Sequence, residues 1–330
     1  MAGSQKMIPL LAPWLIAMMG VLAITQSQAR SGETDILQVC PPKTSLPKTS
    51  LTKSACDTRN LHTAMRRVKD QGVLQLMPGR YPECMVITKN HLTIEGEGAQ
   101  LVNKACKGKA AIVLYDHTAV IRHLACRNIK VAGENGSCVR FHGGELTLEN
   151  VHFSDSQSGL LGGDGILRIN GSVFERNGYG GQAHQVYFSG AQAELYIRDS
   201  KFLSATGEGH GIKSGARRLV LDNVVIDGAG GKMSRNIDAY NGGELVIENS
   251  TLRKDPSDAN QEIIGYDYES RVEHKVNRIV LRNNVFDCGM GAYVLAGTNS
   301  LRGAQIVAEN NRFLGNCHAI PKSSGIPTKP

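Results

Sequence analysis

Three short stretches place two ionisable side chains at a matched spacing, His184 with Tyr187, His210 with Lys213 and Arg235 with Asp238, and a fourth sets Glu262 at the same distance from Gly265. In each, the second residue follows an apolar one (Val186, Ile212, Ile237, Ile264), and those apolar residues lie 26, 25 and 27 residues apart. If they face inward on successive strands, Tyr187, Lys213 and Asp238 form one outward column of neighbours about 4.8 Å apart. Such a column gathers a phenol, an ammonium and a carboxylate beside two imidazoles and a guanidinium. The cations can stabilise negative charge building on a substrate, and imidazole, phenol or amine can exchange protons with it. Lys213, His210, Tyr187 and Asp238 are therefore the candidate catalytic residues. His184 and Arg235 are candidate substrate contacts, and Tyr240, Tyr266 and Asp267 are expected, with Tyr268, at the rim. The competing reading is structural: Lys213 and Asp238 as a surface ion pair worth about 0.2–1 kcal/mol, with histidines that cap turns.

A column needs stacked strands, and the chain repeats. The pattern is apolar, any, apolar, any, Asn or Asp, then an apolar residue three further on. LTLENVHF runs from Leu146 to Phe153, and ILRINGSVF from Ile166 to Phe174 carries Gly171 in the Asn place. LYIRDSKF, LVLDNVVI, LVIENSTL, IVLRNNVF and IVAENNRF follow, ending at Phe313. The second apolar position falls at Leu148, Ile169, Ile197, Leu221, Ile247, Leu281 and Ala308, at intervals of 21, 28, 24, 26, 34 and 27 residues. A recurrence of this length marks a solenoid, and period-two alternation makes its units strands. The fold class expected is all-β: a right-handed parallel β-helix of about seven to ten coils. Asn150, Asp199, Asn223, Asn249, Asn283 and Asn310 recur at one place in the coil, where their side chains can stack as a ladder. Aligning the second strand of each coil adds Val139, Leu160 and Val294 to the inward set, and Arg140, Leu161 and Leu295 to the outward one.

The boundaries follow. Met7 to Ile24 is an apolar run behind Lys6, and Ser27-Gln28-Ala29 offers a small-x-small cleavage site, so residues 1–29 read as a signal peptide. Residues 30–60 include a Pro/Ser/Thr/Lys-rich stretch, PPKTSLPKTSLTKSA at 41–55, that reads as linker. Leu61 to Val68 fits a short helix with Asp57 or Thr58 as N-cap, placed to cover the open end of the solenoid. The β-helix is expected over 61–316, with 317–330 as a tail. Eight cysteines, none in CxxC spacing and six of them before residue 140, suit disulfide staples in an exported protein better than zinc; their pairing stays open. The formal charge of +7 becomes +6 once Lys6 is removed. A modestly basic exported chain suits an acidic polysaccharide, and no Lys/Arg block interleaved with aromatics points to nucleic acid. The mature protein is expected to be monomeric, free of the membrane, and periplasmic or extracellular.

The helix, the MPGRY turn and the coils resemble the right-handed β-helix proteins of the pectin lyase-like superfamily. More closely, AHQVYFSG, GHGIKSGARR, SRNIDAYNGG and EIIGYDYE resemble successive coils of a group of exported bacterial β-helix repeat proteins. That group reads roughly HNIYVG, GHNIKSRA, SYAIDLPNGG and ISYGAEG. Tyr187, His184, His210, Lys213, Ile237, Asp238, Asn241 and Gly242 match the pattern one by one, whereas Ser214-Gly215-Ala216 replaces its SRA. The resemblance covers about Leu61 to Gly315 and implies activity on polysaccharides without choosing the reaction. GHGIKSG is also similar to the GHGISIG stretch of polygalacturonases. Those hydrolases take acids from coils that here read GLLGGDG and AHQVYFSG, and Asp238 has no evident carboxylate partner beyond Asp267.

The expected function is therefore a lyase or epimerase on a uronic-acid polysaccharide. Lys213 or Arg235 would hold the substrate carboxylate, His210 or Lys213 would take the proton, and Tyr187 would serve the leaving oxygen or act as a second base. No cofactor and no metal site is read; some lyases of the superfamily use calcium, for which no acidic cluster stands out. The alternative is a non-catalytic glycan-binding or cell-envelope protein using the same face.

Overall fold

Period-two alternation and frequent turn residues leave the chain one economical structure, in which each coil lays down three short strands and the next coil repeats them. The computed structural model describes residues 35–43, 56–269, 274–298, 301, 303–318 and 320. Residues 1–29, read above as a signal peptide, most of the Pro/Ser/Thr/Lys stretch and residues 321–330 lie outside the described residues. The strands form three sheets of eleven, ten and ten members, paired in parallel, in a right-handed β-helix. The first sheet runs from Ile36–Val39 to Gln305–Glu309, the second from Gly79–Tyr81 to Arg312–Leu314, and the third from Met85–Ile87 to Cys317–His318. The solenoid thus starts within residues 30–60, ahead of the stretch read as linker, where Ile36–Val39 pairs with Val73–Leu76. It also reaches into the segment read as tail, where Cys317 and His318 pair with Ala292 and Tyr293.

Inward residues stack coil upon coil into a continuous apolar core. On the second sheet Phe153, Phe174, Phe202, Ile226, Leu252, Phe286 and Phe313 lie in one row. All of them are buried except Phe313, on the last strand of that sheet. Between the first and second sheets the chain turns through one residue with positive φ: Asn150 at 52°, Gly171 at 57°, Asp199 at 51°, Asn223 at 53°, Asn249 at 51°, Asn283 at 54° and Asn310 at 51°. That conformation costs most residues about 1–2 kcal/mol, and Gly, Asn and Asp bear it best. The recurrence is therefore a backbone requirement first. The expected side-chain ladder is discontinuous: Asn223 donates to Asp199 at 2.7 Å, whereas Asn249 donates to Asp222 at 2.8 Å.

A second ladder lies one residue further on and inside. The Ser172 amide donates to Ser200 Oγ at 3.1 Å, Val224 to Ser250 Oγ at 3.0 Å, Ser250 to Asn284 Oδ1 at 2.9 Å, and Asn284 to Asn311 Oδ1 at 3.0 Å. These buried groups satisfy turn amides that have no sheet partner.

The short helix Leu61–Arg67 buries Leu61, Ala64 and Met65 against the end strands Ile36–Val39 and Met85–Ile87. Its N-cap is Asn60, whose Oδ1 accepts the Thr63 amide at 2.9 Å, rather than Asp57 or Thr58. Asp57 instead accepts the Gln38 amide at 2.8 Å, and Thr58 bridges to Val39. Four cysteine pairs meet at disulfide distance: Cys40–Cys56, Cys84–Cys106, Cys126–Cys138 and Cys288–Cys317, with Cα separations of 5.8, 5.4, 5.8 and 5.2 Å. No free cysteine remains among the described residues. Nor is any described helix long and apolar enough to cross a membrane.

Candidate functional site

The third sheet brings the expected column together. Val186, Ile212, Ile237 and Ile264 share one inward row, and Arg140, Leu161, Tyr187, Lys213, Asp238 and Gly265 follow one another outward. The last member differs from expectation. Leu295, not Val294, stands opposite Ile264, and Ala296 follows Gly265, a shift of one residue.

Asp238 is the hub. Its side chain is outward in the strand alternation yet 2% exposed, because the chains of Lys213 and Arg235 close over it. His210 Nε2 lies 3.5 Å and Lys213 Nζ 3.9 Å from its Oδ2, and Arg235 Nη1 lies 3.6 Å from its Oδ1. Oδ1 makes no hydrogen bond. Gly265 supplies the room, since a Cβ there would sit 2.5 Å from Arg235 Cδ and 3.0 Å from Asp238 Oδ1. Burial pushes the Asp238 carboxyl up to about 6; Arg235 and Lys213 hold it down, and Glu269 and Glu262 add to the rise.

Two glutamates complete the cluster. Lys213 Nζ donates to Glu269 Oε1 at 2.6 Å, and Arg235 Nε donates to Glu262 Oε2. Glu262 Oε1 accepts Tyr268 Oη at 2.7 Å, and the Arg235 guanidinium lies 4.3 Å from the Tyr268 ring centre. Burial and this hydrogen bond push the Tyr268 phenol up to about 12. Lys213 Nζ also sits 5.6 Å from the ring centre of Tyr187 and 5.1 Å from that of Tyr240. The expectation that Asp238 has no evident carboxylate partner beyond Asp267 is thereby corrected, since Glu269 and Glu262 both act on it. Glu269 lies past the strand end, where strand alternation gives no direction, and Glu262 is the first residue of the strand Glu262–Tyr266.

The histidines take a different part from the one expected. His184 Nδ1 accepts the His210 amide at 3.0 Å, and His210 Nδ1 accepts the Arg235 amide at 3.0 Å. A nitrogen accepting a backbone N–H carries no proton, so each neutral ring is protonated at Nε2. Both are buried and stack 4.8 Å apart. Burial, with Lys213 nearby, lowers His184 to about 3; burial and the cations around it hold His210 well below the usual range. His210 therefore has no free lone pair with which to take a substrate proton. It positions Arg235 and faces Asp238.

Of the expected rim, Tyr240 is buried with its ring beside Lys213 and its hydroxyl 3.3 Å from the Ser189 carbonyl. Tyr266 is not at the rim. It lies two residues from Ile264, shares its inward direction, and is fully buried, donating to the Gly243 carbonyl at 2.6 Å. Asp267 is buried beside Thr298, whose Oγ1 donates to its carbonyl at 2.6 Å. Side chains more open to solvent are Tyr187, Lys213, Arg235, Glu262, Tyr268 and Glu269. Among the described residues no group of three or more His, Cys, Asp or Glu has a metal-binding arrangement. A divalent cation at the carboxylates would have to displace Lys213 or Arg235, which already pair with them. A cleft of about 640 Å³ lies elsewhere, lined by Glu194, Arg218 and Glu244 of the first sheet. Those three are cross-strand neighbours of alternating charge, Arg218 pairing with Glu244 at 2.6 Å, and the cleft does not touch the cluster.

No family model matches the chain. No curated protein matches it significantly either. Among solved structures, ORF18 of Geobacillus virus E2 is similar at 13% identity and a TM-score of 0.46, covering 74% of this chain and 54% of its own. The chain thus spans about half the length of that protein. The pectate lyase Pel9A is similar at 12% identity and a TM-score of 0.46, covering 84% of this chain and 78% of its own. At these values neither likeness carries an inference about chemistry.

Proposed function

We propose that the protein is an exported enzyme of the lyase or epimerase class, acting on a uronic-acid-containing polysaccharide across the third sheet. The observation that carries this is the paired arrangement of Lys213 and Arg235. Both cations lean on the buried Asp238, and each is met from the open side by a more exposed glutamate. A uronate carboxylate can replace those glutamates at the two cations. It then sits where negative charge accumulates as the neighbouring C–H proton leaves. Tyr187, beside Lys213 and partly open, is the phenol placed to exchange that proton. In a lyase the electron pair forms a ring double bond and the glycosidic oxygen departs; in an epimerase a proton returns on the other face. The four cysteine pairs support an oxidising compartment, and the contacts of Leu61–Arg67 with two end strands support a capping role.

The test is incubation with a panel of uronic-acid polymers, scoring unsaturated ends and epimerised residues. Lys213→Ala is expected to lower turnover by about 10²–10³ while leaving the melting temperature within a few degrees. Normal turnover by that variant refutes the assignment. A second reading, hydrolysis, is favoured by one observation: Asp238, raised to about 6, lies near Glu262 and Glu269, as an acid and an ionised partner would. New reducing ends without unsaturation would identify it.

A further inference from the structure

The outward column of the third sheet continues beyond the cluster to Arg140, reached from Lys213 through Tyr187 and Leu161. Arg140 differs from the cations of the cluster. Lys213 has Glu269 and Asp238, and Arg235 has Glu262 and Asp238, whereas Arg140 has no ion-pair partner among the described residues. It is partly buried, and its Nε is shielded from solvent without an acceptor. Burial lowers its pKa, the direction expected when no anion compensates. Leaving a guanidinium nitrogen desolvated without an acceptor is costly, and an arriving oxyanion would relieve it through a two-pronged hydrogen bond.

Beside Arg140 lies an aromatic surface. Tyr115 and His142, which follow the adjacent strands Ala110–Leu114 and Ser137–Phe141, stack with ring centres 4.5 Å apart and planes within 7°. Tyr115 is 38% exposed, and His142 Nε2 makes no hydrogen bond. The charged groups acting on His142 are Lys109, Arg140 and Asp116, two cations and one anion. A flat, partly open ring pair next to a guanidinium whose Nε lacks an acceptor matches the two faces of an acidic sugar, an apolar ring and a carboxylate.

We propose that Arg140, with the Tyr115–His142 stack, is a binding subsite for a uronate unit of the same polysaccharide, remote from the reacting one. This rests on the reading of the third sheet given under Proposed function. Three strand spacings separate Arg140 from Lys213, about 14 Å, so the two cations hold different sugars of one chain laid along the solenoid. Arg140 binds and orients; it does not touch the reacting atoms.

The experiment compares the wild type with Arg140→Gln, Arg140→Lys, Tyr115→Ala and Lys213→Ala. Each is titrated calorimetrically with oligomers of galacturonic acid and with a neutral glucan of equal length, and assayed for turnover. Arg140→Gln is expected to weaken binding of the acidic oligomer and raise KM by about tenfold while kcat falls less than twofold. Arg140→Lys should recover part of the loss, and added salt should narrow the gap between wild type and Arg140→Gln. Melting curves check folding; if Arg140→Gln is unstable, Tyr115→Ala at its exposed position decides, with a several-fold loss of affinity expected. If Lys213→Ala abolishes turnover but Arg140→Gln and Tyr115→Ala bind like the wild type, the subsite is overturned and the central site stands. If the wild type neither binds nor converts acidic oligomers, the reading of the whole face falls, and the subsite with it.

Discussion

Asp238 and the two histidines hold opposite protonation problems within one hydrogen-bonded cluster. The Asp238 carboxyl, at about 6, lies above the ordinary aspartate value of about 3.9. Between those values the folded protein keeps a proton that the unfolded chain has released. Its contribution to stability is therefore complete below about pH 4 and lost as pH rises through 6. Asp238→Asn removes that loss. Relative to wild type, the variant should gain on the order of 1–3 kcal/mol between pH 4 and pH 6, then hold level. Denaturant melts across that range decide, and a difference that does not change with pH would contradict the buried hub. His184 and His210 carry the reverse sign: lowered in the fold, they withdraw stability as pH falls through about 6.5. Long-range ¹⁵N–¹H spectra should show both rings as fixed Nε2–H tautomers from about pH 8 down to pH 5, and a midpoint near 6.5 for either ring would rule out its hydrogen bond to the next coil's amide.

At the scale of the coil, the turn between first and second sheets separates two roles that adjacent residues play. Asn283 holds a φ of 54° and faces outward, and Gly171 fills the equivalent place in an earlier coil. Asn284 is buried, accepts the Ser250 amide at 2.9 Å, and donates to the Ile247 carbonyl at 2.8 Å. Asn283→Gly should therefore change stability by less than about 0.5 kcal/mol, whereas Asn284→Ala should cost about 2–3 kcal/mol by orphaning buried backbone groups. Equal losses in urea melts would mean that the outer residues carry the ladder after all. The same turn shows what the sequence could disclose. Inward rows and the positive-φ column were legible, because both repeat in every coil and have one physical cause. The buried ladder was not, since Ser172, Val224 and Asn284 share a position but no residue type. Strand alternation placed Tyr187, Lys213 and Asp238 correctly and failed at the bends. It gave no direction to Glu269, and it misplaced Val294 once the last coil changed its lead-in. Tyr266 was misread although its spacing from Ile264 pointed it inward.

Across the molecule, the staples and the site occupy different coils. Cys40–Cys56, Cys84–Cys106 and Cys126–Cys138 lie in the N-terminal coils and Cys288–Cys317 in the last, while the strands from Val186–Phe188 to Glu262–Tyr266 hold no cysteine. In a solenoid each coil is stabilised by its neighbours, so end coils, with one neighbour, are weakest. Bridges closing short loops there contribute about 2–4 kcal/mol each by restricting the unfolded chain. The middle coils need no such help. Both of their faces are covered, and their outer charges pair across strands, as Glu244 does with Arg218 at 2.6 Å and Arg278 at 3.5 Å. Reduction of the bridges should therefore fray the solenoid from its ends towards the site. Amide exchange followed by mass spectrometry should show early loss of protection before residue 126 and after residue 285, with the strands carrying Tyr187, Lys213 and Asp238 still protected. If the proposed activity holds, turnover should outlast the end coils under the same reductant. Simultaneous loss of protection along the whole chain would show one cooperative unit, and the separation of staples from site would then have no energetic meaning.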